Sequence, residues 1–227
     1  MSLRSRSRWI AAATAVAIPA IVLSTACSSD KAAAPASVAT ADTVALNPSN
    51  ETLVEWWGNT SDSGYYSYSG EDDDYVQTYA DGSGNFYIDR LLMQFALPKL
   101  AGKGVVDSAK MYDYACAHNT AFTDSIVVDH VNWGAAYSDS ASWGSQVLQA
   151  NVGTLVRDTT TGWKTVNISS SVQADYAAKR PNTQYRLEWS YQTLPSSDVW
   201  VEFAGGDCNE DSGTGAAGQA YMVIWAH

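Results

Sequence analysis

Aromatic side chains are the residues of this chain best suited to a specific chemistry. The 227 residues include 9 Trp and 13 Tyr but only 4 Phe. An indole or phenol ring lays an apolar face on the C–H side of a sugar while its polar tip meets a hydroxyl. Trp56, Trp57, Tyr65, Tyr66, Tyr68 and Trp200 are the candidates for glycan contact. Trp56 and Trp57 are adjacent, so in a strand they point to opposite faces, and one is expected in the core with the other free. Trp200 stands opposite the apolar Val199, Val201 and Phe203 side of its segment. Core packing is the competing role for each of them, and Trp133 and Trp143 are assigned to core or loop packing.

Carboxylates offer a second chemistry. Glu71, Asp72, Asp73 and Asp74 form the densest acidic run, and Asp207, Asn209, Glu210 and Asp211 form another cluster beside Cys208. Loops that supply several carboxylates can meet the six to eight oxygen ligands of calcium. Neither run has the spacing of an EF-hand loop, and a solvated acidic turn is the alternative for each. A structural calcium at the later cluster is the metal expectation, and no cofactor is required. Glycoside hydrolysis needs two carboxylates across a cleft, and the sequence singles out no such pair. It also lacks a Gly-x-Ser-x-Gly elbow, a His-Glu-x-x-His helix and a phosphate loop. A lyase would want Lys, Arg or His beside Tyr, and basic residues are scarce. A non-catalytic protein is expected.

Net charge and the N-terminus narrow the setting. The formal charge is −11. Arg4, Arg6 and Arg8 open a leader, Trp9 to Leu23 is its apolar run, and small residues end it at Ala26, so residues 1–26 read as a signal peptide. Loss of the leader leaves ten of the 13 basic residues against 24 acidic ones. Such a surface repels phosphate backbones and excludes nucleic acid as a partner. Leu23-Ser24-Thr25-Ala26-Cys27 resembles a bacterial lipobox, which implies acylation of Cys27 and a membrane anchor; ordinary secretion is the alternative. Residues 27–50, rich in Ala, Ser and Thr, bury too little apolar surface to offset ordering entropy and read as a flexible tether. A second reading makes Ala39 to Leu46 a spare strand that pairs with a neighbouring molecule. With Cys27 acylated, Cys116 and Cys208 are left, and exported proteins pair such thiols. The bridge would close a loop of about ninety residues, worth ~4–5 kcal/mol in the chain-entropy picture. Cys116 with His118 could also form half of a zinc site, but His130 and His227 lack ligand spacing to it.

These residues need elements to hold them, and the folded domain is placed at residues 51–227. Leu91, Met93 and Phe95 alternate with Arg90, Leu92 and Gln94. Beyond Pro98, Gly102 and Gly104, Met111 faces away from Tyr112 and Tyr114. Period-two alternation bounded by Pro and Gly marks two strands and a turn. Further strands are predicted over Thr52–Trp57, Ser125–Val131, Trp163–Ile168, Tyr185–Trp189, Val199–Phe203 and Tyr221–Ala226. Ser169 or Ser170 is expected to cap one short helix, with Val172 and Tyr176 on one side and Pro181 beyond its end. Many short strands, at most one short helix and no βαβ rhythm predict an all-β antiparallel β-sandwich or jelly roll.

Arg90-Leu91-Leu92-x-x-Phe95-x-Leu-Pro98, the Gly-containing turn and Val106-x-Ser-Ala-x-x-Tyr112 resemble the DNRLRE-type β-sandwich domain, with Asp89, Arg90 and Leu91 near the place of the name motif. Ile126 to Val131, Trp133 and Trp143, the strand and helix from Trp163 to Lys179, and the late Val-x-Phe strand extend the likeness to residues 51–227. The resemblance implies a jelly-roll accessory domain, and some members of that family are carbohydrate-binding modules. The expected function is therefore a non-catalytic extracellular or cell-surface domain that binds polysaccharide. The alternative is a structural surface protein that self-assembles, or pairs with a partner, through edge strands and its N-terminal segment.

Overall fold

A computed structural model describes residues 42–59, 62–69, 74–100, 104–119, 124–135, 137–191, 198–203 and 220–227. They belong to one compact unit, residues 39–227. The described chain is all-β, with twelve antiparallel strands and two helices. The strands are β1 (Asp42–Leu46), β2 (Asn50–Gly58), β3 (Ser63–Ser69), β4 (Asp74–Ala80), β5 (Phe86–Ala96), β6 (Val106–His118), β7 (Ile126–Asn132), β8 (Gln146–Val156), β9 (Gly162–Asn167), β10 (Asn182–Trp189), β11 (Val199–Phe203) and β12 (Tyr221–Ala226). The helices are α1 (Asp139–Trp143) and α2 (Ser169–Ala177).

Hydrogen bonds join the strands in the order β1-β12-β6-β11-β4-β5-β10-β7-β8, with β2 on the far edge of β5, β3 beside β2, and β9 on the far edge of β6. β5 and β6 are the long strands that turn the network into a sandwich. The start of β5 pairs with β4 and its end with β10. Along one edge, β6 pairs first with β12 and then with β11. The core lies between β3-β2-β5-β10-β7-β8 and the layer built on β6. Leu91, Met93, Phe95, Ile126, Val128, Tyr185 and Leu187 meet Ala109, Met111, Val201, Phe203, Met222 and Ile224 there. The two layers approach closely where Gly153 of β8 meets Val166 of β9: a Cβ on Gly153 would stand 2.5 Å from Val166 Cγ2.

The predicted alternation of β5 holds, since Leu91, Met93 and Phe95 are core residues. Its other face is not open to water, however. Leu92 is 1% exposed and Val54 beside it is fully buried. The reason is α1 and its flanking loop, which cover that face. The sequence predicts at most one helix, but the described residues form two. Ser138 to Trp143 has no apolar periodicity, and α1 is only 5 residues long. α2 stands where the sequence places a helix, but no serine side chain caps it; Ile168 holds the N-cap position. The Ser169 hydroxyl instead accepts the Ala109 amide at 2.9 Å and so stitches the helix start to β6. The ordered domain also begins before residue 51. Part of the expected tether forms β1, which pairs with β12 of its own chain from Asp42↔Ala226 to Leu46↔Met222.

Candidate functional site: an aromatic face on the β6 layer

β6 alternates a core face with an outer face. Ala109, Met111, Asp113 and Ala115 point inward and are buried, whereas Lys110, Tyr112 and Tyr114 point outward. Strand pairing decides what stands beside them. Tyr221 of β12 is the Cα partner of Tyr112 on one edge, and Trp163 of β9 is the partner of Tyr114 on the other. Aromatic residues from three adjacent strands therefore meet on one side of the sheet. Tyr112 and Tyr221 stack at 4.7 Å with 8° between their planes. Trp163 sets its ring edge-on to Tyr114 at 5.4 Å and to Tyr221 at 5.2 Å. Trp163 is 48% exposed, and the three tyrosines are half-buried. Thr165 and Asn167 of β9 and Lys110 of β6 add exposed polar groups to the same face. A cluster of one exposed indole set edge-on to two half-buried tyrosines, with a polar rim, offers an aromatic face to a sugar ring and partners to its hydroxyls.

The aromatic residues predicted for glycan contact do not converge. Trp56 and Tyr65 are cross-strand partners on the outer face of β2 and β3. Tyr65 is 38% exposed and tilts against Trp143 at 5.8 Å. Trp57 faces the other way, across Gly64, where a Cβ would stand 2.5 Å from its Nε1. Trp56 lies over Gly58 in the same manner. The expectation that one of this pair is core and the other free is therefore corrected: both are half-buried, each laid on a glycine. Trp200 is half-buried and packs edge-on to Tyr75 at 5.8 Å. The side chains of Tyr66 and Tyr68 lie outside the described residues. So do Cys27, Cys208 and the calcium candidates Asp207, Asn209, Glu210 and Asp211. Among the described residues no group of three His, Cys, Asp or Glu is arranged to hold a metal ion, and no helix is long and apolar enough to cross a membrane.

Under α1 the outer face of β5, β10 and β7 carries a charge network. Arg90 Nε lies 2.8 Å from Glu188, and Arg186 lies 3.1 Å from Glu188 and 2.7 Å from Asp129. Both guanidinium groups donate to the Trp143 carbonyl, at 3.2 and 3.1 Å, and the Trp143 ring covers Arg90 at 3.8 Å. Burial pushes Arg90 down to about 10 and, despite the two arginines, raises Glu188. Two positive and two negative groups in one closed net satisfy each other, so this cluster reads as structure.

Two other polar groups are buried between the layers. Asp113 has an Oδ2 without a hydrogen-bond partner among the described residues. Burial, and then the neighbouring carboxylates Asp113 and Asp74, hold Glu51 well above the usual carboxylate range; burial does the same to Asp113. On the far side, His130 Nε2 lies 2.8 Å from Asp175 Oδ2, and Arg180 donates to Asp175 Oδ1 at 2.5 Å. Burial works to raise Asp175, but its hydrogen bonds, that to His130 foremost, leave it below the ordinary value.

The sequence does carry the signal for the aromatic face. The alternation of Tyr112 and Tyr114 against Met111 is plain, and Trp163 opens a predicted strand. Missing is the register that sets β9 and β12 on either side of β6. No protein-family model and no curated protein matches the chain.

Proposed function

We propose that this chain is a non-catalytic binding domain that lays a polysaccharide on the aromatic face formed by Trp163, Tyr114, Tyr112 and Tyr221. The observation that carries the reading is the half-exposed indole of Trp163, braced edge-on by Tyr114 and Tyr221. The bracing fixes the ring before a ligand arrives, so little side-chain entropy is lost on binding. Retention of the full chain on a panel of immobilised polysaccharides is the test. A retained wild type and an unretained Trp163→Ala variant are expected; equal retention of the two would overturn the reading.

The setting of this activity is part of the same proposal. The leader, acylation at Cys27 and a DNRLRE-like domain would place the binding face at a bacterial cell surface, tethered by the segment that ends at β1. A Cys116–Cys208 disulfide fits that compartment. Two features support it. Cys116 is not free, and Phe203, five residues before Cys208, pairs with Ala115 beside it. Structural calcium at Asp207, Asn209, Glu210 and Asp211 completes the proposal; a chelator-dependent fall in Tm would support it.

A further inference from the structure

A cavity of about 310 Å3 opens between the end of β7 and the start of β10. We propose that it is a second binding site, taking one neutral sugar ring or a similar polyol. Its wall combines Val131 and Pro181 with the polar groups of Asn132, Asn182, Gln184 and Arg180, above the buried Asp175. The volume sits at the bottom of the range that small-molecule pockets occupy, room for a ring and not for a chain.

The chemistry of the wall selects the ligand. Arg180 spends Nη1 on Asp175 and is one-third exposed, so Nη2 and Nε remain to donate. Asn132 Oδ1 accepts the Gly134 amide at 3.0 Å, which leaves Nδ2 to face the cavity. The Asn182 amide has no hydrogen bond among the described residues and can both donate and accept. Gln184 is the support. Its Nε2 donates to Gln94 Oε1 at 2.7 Å and to Gly134 O at 3.0 Å, and its Oε1 accepts the Trp133 amide at 3.0 Å. The bonds to Gly134 and Trp133 fix the loop that forms one wall, and the bond to Gln94 ties Gln184 to β5. Arg180 and Asp175 cancel each other's charge, so the cavity offers neither a net cation for an anionic ligand nor a net anion for a cationic one. Directional donors and acceptors over an apolar patch suit vicinal hydroxyls and a C–H face.

Ligand-observed saturation-transfer NMR on the full chain tests this, with D-glucose, D-galactose, D-mannose and D-xylose as probes and D-glucuronate and D-glucosamine as charged controls. At least one neutral sugar is expected to receive saturation, ahead of both controls. Asn182→Ala and Asn132→Ala should each weaken it by about tenfold, the worth of a single neutral hydrogen bond, with an unchanged Tm showing that the fold is intact. Trp163→Ala should leave the signal as it was, which separates this site from the aromatic face. The proposal is overturned if no neutral sugar is saturated, if a charged control binds as well, or if both Asn variants bind like wild type while folded.

Discussion

Single side chains in this protein carry opposite pH signatures. Asp175 is held below its ordinary value, so the stability it contributes is present above the unfolded-state range near pH 4 and is lost as pH falls through the lowered folded value. Asp113 and Glu51 are held above theirs, so the folded state keeps protons that the unfolded state releases. Stability from these two is present at low pH and is lost as pH rises through their raised values. Asp113→Asn replaces a buried acid that must ionise as pH rises with a group that never does, and is expected to flatten the fall in Tm on the alkaline side, leaving the variant at least as stable as wild type at pH 8. Thermal melts from pH 4 to 9 check this, and an unchanged alkaline slope would contradict it. Arg186→Ala has a different consequence. It strips the partner from buried Asp129 and loosens Glu188, a loss of about 3–5 kcal/mol measurable by denaturant unfolding. None of these pairings is visible in the sequence, because each joins residues from separate strands. Arg90 and Gln94 could be put on one side of β5, but not under a helix.

Elements were legible where the side chains alternate strongly. β5, β6, β7, β10, β11 and β12 each contain a run in which large apolar or aromatic residues recur two positions apart, and the sequence places all six. β8 escaped because Gln146–Val156 mixes exposed Gln, Ala and Asn with a glycine, and its pairing with β7 slips register three times. Asn151 takes a left-handed φ of 47° within it, its amide bonded to Asp129 Oδ1 at 2.8 Å. β1 reads first as tether, and only the second reading makes Ala39 to Leu46 a strand; the partner it names, a neighbouring molecule, is corrected by the pairing of β1 with β12 of its own chain. Gly153 marks the place where β8 and β9 close the sandwich. Gly153→Ala would press a methyl group on Val166 and is expected to cost about 1–3 kcal/mol. A wild-type unfolding midpoint in that variant would show that the two strands can separate freely. The bracing of Trp163 depends on the same closure, since β9 is held between β8 and β6.

The described residues set two unlike outer surfaces around one apolar core, one charged and one aromatic with a polar rim. On the β5 side, α1 and Trp143 cover the sheet. On the β6 side nothing among the described residues lies over Trp163, Thr165 and Asn167, all of which are exposed. An antiparallel sheet that keeps one face wet normally shows polar residues there; four clustered aromatic rings depart from that pattern and form the surface proposed for the glycan. The strong negative charge of the chain disfavours nucleic acid on either side. At this scale the class of fold was readable from alternation, and the binding face was not, because register is a property of strands far apart in sequence. A disulfide between Cys116 and Cys208 would tie β6 to the segment after β11. Its reduction is expected to lower stability by about 4–5 kcal/mol, read as a drop in Tm, whereas alkylation of both thiols in the unreduced native chain would contradict the bridge.

The central claim is the role of Trp163, and the most direct measurement is a binding isotherm. The full chain, Trp163→Phe and Trp163→Ala are titrated with the polysaccharide that retains the wild type. A braced stacking residue is worth about 2 kcal/mol or more, so Trp163→Ala is expected to bind roughly thirtyfold more weakly while Trp163→Phe keeps most of the affinity. Wild-type affinity in a folded Trp163→Ala variant would contradict the account.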